Sequence, residues 1–145
     1  LVEEVPGRVS CYIYNGAGST TDALVTEAQK ILDGYVDPDS GQKVPGYRGG
    51  GTMVIVRKMT EQPVNFTAAI TAEPGYTASA LFAAIQTAFT NYLAEVKPGE
   101  TLYLSELYAR AQGVEGVLNA GIAAPAADIA VGANIALVQG TVSLT

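Results

Sequence analysis

Three stretches of this sequence hold residue types that chemistry can use. The first, Asn15-Gly16-Ala17-Gly18-Ser19-Thr20-Thr21, stands in front of a segment with helical periodicity. Glycine backbone there can turn its amides towards a phosphate, and a helix N-terminus adds partial positive charge. The stretch lacks the G-x-G-x-x-G spacing and the lysine of a phosphate loop, so it reads first as a strand-to-helix turn with a polar cap. The second, Asp37-Pro38-Asp39-Ser40-Gly41, begins like a calcium loop but has neither the third oxygen ligand nor the closing glutamate. A proline-containing turn accounts for it equally well. The third is a scatter of carboxylates, Glu95, Glu100, Glu106 and Glu115. No pair among them has a spacing that argues for acid–base catalysis, and solvation at helix ends explains them.

What is missing narrows the chemistry further. The chain has no histidine and a single cysteine, Cys11. Histidine-based triads, zinc sites of the Cys/His kind and intrachain disulfides are therefore excluded. Cys11 alternates with Val9 and Ile13 in a strand pattern, so a buried, inert thiol is expected. No residue is assigned to catalysis, to a metal or to a cofactor, and the reading is of a protein that is not an enzyme. The formal charge is −6 with the basic residues dispersed, which argues against nucleic acid and against an anionic membrane as partner. No apolar run reaches membrane-spanning length and no signal peptide is visible in this segment, so membrane insertion is not expected. The first residue is Leu1, which reads as the start of a piece taken from a longer chain.

Any contact residues must be positioned by a folded core, which an apolar fraction of 48% and a charged fraction of 15% support. The strongest element is an Ala-rich helix over 77–97. Leu81, Phe82, Ile85, Phe89, Tyr92, Leu93 and Val96 fall along one stripe, Thr77 or Ser79 can cap its start, and Pro74-Gly75 and Pro98-Gly99 bound it. The sheet is expected to be built against this helix.

The rest of the chain reads as an α+β protein of two small lobes, with helices packed on one face of mixed sheets. The N-terminal lobe, 1–62, begins with a lead-in over Val2–Pro6. It is then strand–helix–strand: Arg8–Asn15, Thr21–Tyr35 with a stripe of Leu24, Val25, Ala28, Ile31, Leu32 and Tyr35, and Thr52–Thr60. The Met53-Val54-Ile55-Val56 run is apolar on both faces, as in a central strand, and a parallel crossover is expected. Between helix and second strand, Val36–Gly51 is a long connection whose glycines and prolines predict no regular structure. Glu61-Gln62-Pro63 reads as a hinge-like break. The C-terminal lobe, 63–145, is strand–helix–helix–strand–strand. A strand over Val64–Thr71 precedes the long helix, and Ser105 caps a short one over Glu106–Gln112. A strand over Gly116–Ile122 and two extended pieces, Ile135–Gln139 and Thr141–Leu144, complete it. Of the 8 tyrosines, Tyr47 and Tyr76 sit in turns and Tyr103 and Tyr108 around the short helix. Tyrosine suits wet protein interfaces, and these four with Arg48 form the expected contact set.

An ordered series of short motifs now becomes recognisable. Val64-Asn65-Phe66-Thr67-Ala68-Ala69-Ile70 is followed by Glu73-Pro74-Gly75-Tyr76 and by the Ala-rich helix ending in Tyr92-Leu93. Lys97-Pro98-Gly99-Glu100-Thr101-Leu102-Tyr103-Leu104-Ser105-Glu106-Leu107-Tyr108 comes next, then Gly113-Val114-Glu115-Gly116-Val117, and Gly140-Thr141-Val142-Ser143-Leu144-Thr145 closes the chain. The series resembles the C-terminal part of the phage baseplate J-like family over roughly Gly46 to Thr145. That resemblance implies a structural wedge component of the baseplate in a contractile phage tail or a related injection machine such as a tailocin. It implies no catalytic residues. The implied partners are other wedge and hub proteins and further copies of the chain. The implied location is the virion tail baseplate, assembled in the bacterial host cytoplasm. The alternative from the residues alone is a regulatory α+β domain that binds a small anion through the turn at 15–21.

Overall fold

A computed structural model of the chain describes residues 7–16 and 20–145. The lead-in Val2–Pro6, and Ala17, Gly18 and Ser19 of the glycine-rich turn, lie outside the described residues. The chain forms two compact units, Leu1–Met59 and Thr60–Thr145.

The N-terminal unit runs β1 (Arg8–Ile13), α1 (Asp22–Asp33), β2 (Gly34–Val36), β3 (Lys43–Pro45) and β4 (Met53–Lys58). Thr21 caps α1 by accepting the Leu24 N–H, and Asp22 places a carboxylate in the first turn, where the dipole favours it. Strands β1 and β4 pair in parallel from Arg8–Met53 to Ile13–Lys58, as the strand–helix–strand order predicts. The connection between helix and second strand is not structureless. Gly34 ends α1 at φ 84° and immediately starts β2, which pairs antiparallel with β3. A Cβ on Gly34 would stand 2.6 Å from the Gly46 nitrogen, so this close approach needs glycine whatever the surrounding pattern.

Three further expectations for this unit are corrected. β4 is not a central strand; among the described residues it pairs with β1 alone, in a two-stranded sheet. Its outer edge is instead met by a side chain. Gln29 of α1 accepts the Val56 N–H at 2.7 Å and donates to the Val54 carbonyl at 2.9 Å, as a neighbouring strand would. The apolar stripe of α1 is wider than the surface beneath it. Val25, Ala28 and Leu32 are half-buried, while Leu24 and Ile31 remain exposed and no residue of the helix is fully buried. Cys11 is exposed, because one helix and two strands do not cover both faces of β1.

Met59 alone separates β4 from the next strand. The C-terminal unit runs β5 (Thr60–Ala72), α2 (Ala78–Glu95), α3 (Leu104–Gln112), β6 (Val117–Ala124) and β7 (Ile135–Leu144). Its three-stranded sheet has the order β6-β5-β7, with β5 antiparallel to β6 and parallel to β7. The break expected at Glu61-Gln62-Pro63 is absent: β5 runs through it. Pro63 lies in the half of β5 that pairs only with β7, because β6 joins from Thr67 onwards, and a missing N–H is tolerated beside an unpaired edge. The last two extended pieces are one strand. A register shift between Val64 and Phe66 is stitched by Asn65 Oδ1, which accepts the Thr141 N–H at 2.9 Å. The short helix begins at Leu104, and Ser105 does not cap it; the Leu104 N–H is taken by Asp128 Oδ1 at 2.8 Å.

Alternation decides where the core sits. Val64, Phe66, Ala68 and Ile70 of β5 are buried, while Asn65, Ala69 and Thr71 face outwards. The long helix closes over the buried row with Leu81, Ile85, Phe89, Tyr92 and Leu93. The rings of Phe66 and Phe89 stack at 5.1 Å. Leu107 and Ala111 of α3 and Leu102 extend the same cluster. We expect Phe89→Ala to cost about 3–5 kcal/mol in urea unfolding of the chain. The same truncation at exposed Leu24 should stay within about 0.5 kcal/mol. Equal effects at the two positions would contradict this placement of the core.

Candidate functional site

The five contact residues expected from the sequence divide between the two units, two in the first and three in the second. In the N-terminal unit, Tyr47 follows β3 and is 81% exposed. Arg48 beside it is anchored twice: its N–H donates to the Leu32 carbonyl at 3.2 Å and its guanidinium pairs with Asp33 at 3.2 Å. Arg48, the three glycines that follow, Thr52 and Met53 line a shallow depression of about 340 Å³.

In the C-terminal unit, Tyr76 lies just before α2. Its hydroxyl donates to Glu115 Oε1 at 3.1 Å, and that hydrogen bond together with the carboxylate charge holds the phenol above the usual tyrosine range. Its ring covers Gly116, whose φ is +91°; a Cβ there would come 2.5 Å from the ring. The Glu73 N–H donates to the Gly116 carbonyl at 2.8 Å, so the turn entering α2 is locked to the turn leaving α3. Tyr103 is at the other end of the helix layer. Its ring is exposed, and its backbone N–H donates at 2.9 Å to the hydroxyl of Tyr92, near the end of α2. The 18 residues of α2 span about 27 Å, with Tyr76 before its first turn and Tyr103 bonded near its last. Tyr108 is half-buried and donates to the Ile122 carbonyl at 3.3 Å, tying α3 to β6.

In the stretches weighed for chemistry, the described residues make structural bonds. Asp37 Oδ1 accepts the Asp39 N–H at 3.0 Å and Oδ2 accepts the Ser40 hydroxyl at 2.6 Å. The Ser40 bond and then the Asp39 bond hold this carboxyl below the ordinary aspartate range. The turn reading therefore holds, with both oxygens engaged by the turn itself. Thr20 is buried and accepts the Asn15 N–H at 3.3 Å across the glycine-rich stretch. The four glutamates Glu95, Glu100, Glu106 and Glu115 are all exposed. Arg110 grips Glu95 through two bonds of 2.6 and 3.1 Å and holds it below the usual glutamate range. Glu100 accepts the Lys97 N–H at 3.0 Å and closes the turn after α2. Among the described residues, no group of three or more acids and cysteines is placed to hold a metal ion, and no helix is long and apolar enough to cross a membrane.

Sequence reasoning missed Gln29 and Asp128. A glutamine on a helix gives no signal that it will pair with a strand edge. Asp128 does carry one: it is the single charged residue after Glu115, and an isolated acid in an otherwise uncharged C-terminal stretch marks a specific partner.

The fold and these turns carry a family signature: residues 64–145 match the Baseplate J-like protein C-terminal domain. The chain belongs to this family. No curated protein matches the chain. The matched segment begins within β5 and includes both helices and the rest of the sheet. Membership in the Baseplate J-like family supports a structural role in a phage baseplate. Several residues quoted for the resemblance serve the fold within the matched segment. Pro74-Gly75-Tyr76 forms the latch on Gly116, Lys97-Pro98-Gly99-Glu100 forms the turn closed by Glu100, and Leu107 and Tyr108 fasten α3.

Two outcomes follow from this geometry. Gly116→Ala should cost about 1–3 kcal/mol in chemical denaturation, because it combines positive φ with a clash. Adding Tyr76→Ala should recover the clash part; a neutral Gly116→Ala would remove the latch from consideration. Hydrogen bonds to ionised Asp37 are fully present above the ordinary aspartate value of about 3.9 and are lost as pH falls through the lowered one. The Asp39 amide shift should therefore titrate with a midpoint below that value, and Ser40→Ala should raise the midpoint.

Proposed function

We propose that this chain is a wedge component of the baseplate of a contractile phage tail or a related injection machine, and that it acts by assembly and not by catalysis. The observation that carries the reading is the family match over 64–145, which coincides with the unit holding the continuous apolar core. A brick of this kind must keep its shape while neighbours bind it. The stacked Phe66–Phe89 pair and the two locked turns serve that need.

The partners are other wedge and hub proteins and further copies of the chain. It works in the virion tail baseplate after assembly in the bacterial host cytoplasm. Tyr47, Arg48, Tyr76 and Tyr103 offer exposed rings or charge held on fixed backbone, the combination that makes an anchor at low entropic cost. Tyr108 acts by positioning α3.

Co-expression with the wedge and hub proteins encoded beside it should give a co-purifying complex. Tyr47→Ser and Tyr103→Ser should each weaken that complex by roughly tenfold, about 1.4 kcal/mol, with melting temperature nearly unchanged. Purified tail particles that lack the chain, by mass spectrometry, would sink the proposal.

A further inference from the structure

We draw no further inference here: the strongest candidate, the outer face of α2, where Ser79, Ala80, Ala83, Ala84, Thr87 and Asn91 are exposed and no charged side chain occurs before Glu95, is a row of small uncharged residues, and nothing in the structure shows what covers it.

Discussion

The seating of α2 on β5 is the constraint that organises this protein. Phe66 and Phe89 meet ring to ring at the centre of that contact, and neither is accessible to solvent. An interior packed to this density fixes the helix along the strand, because a shift of one turn would trade rings for gaps. Everything downstream depends on that placement. Tyr92 is held where its hydroxyl can accept the Tyr103 N–H, which starts α3 at the right point. Tyr76 is held where it covers Gly116, which sets the entry into β6. The sheet then forms on both sides of β5 because its buried row is already spoken for.

The two units solve the burial problem by different means. In the C-terminal unit the apolar stripe of one helix matches the apolar row of one strand, and the core is continuous. In the N-terminal unit the helix is fastened by a polar clamp, Gln29 on the β4 backbone, supported by the Lys58–Asp22 pair at 2.9 Å. An exposed ion pair of this kind contributes little on its own. The family match covers the unit with the core.

Legibility followed the same division. The long helix, its stripe, the β5 alternation and the order of elements after residue 63 could all be read, because period and burial agree there. The reading failed where a residue answers to a distant partner. Gly34 and Gly46 look like loop formers, yet they permit the close approach of a hairpin to the end of α1. Pro63 looks like a breaker, yet it sits beside a half-paired edge. Cys11 has the alternation of a buried residue, but alternation reports only which side a residue faces, and burial also needs something on that side. Of the tyrosines expected to make contacts, Tyr47, Tyr76 and Tyr103 are exposed, whereas Tyr108 is half-buried with its hydroxyl on a carbonyl.

Charge is distributed across the C-terminal unit in a way that separates its two sides. After Glu115 the sequence has one ionisable side chain, Asp128, and that carboxylate caps α3. Strands β6 and β7 carry none and β5 carries Glu61 near its start, while the helices and their turns hold Glu73, Glu95, Lys97, Glu100, Glu106, Arg110 and Glu115. Screening acts only on charged contacts. A neighbour gripping the helical side would loosen in concentrated electrolyte, whereas one lying on the strands would keep its hold in brine and fresh water alike.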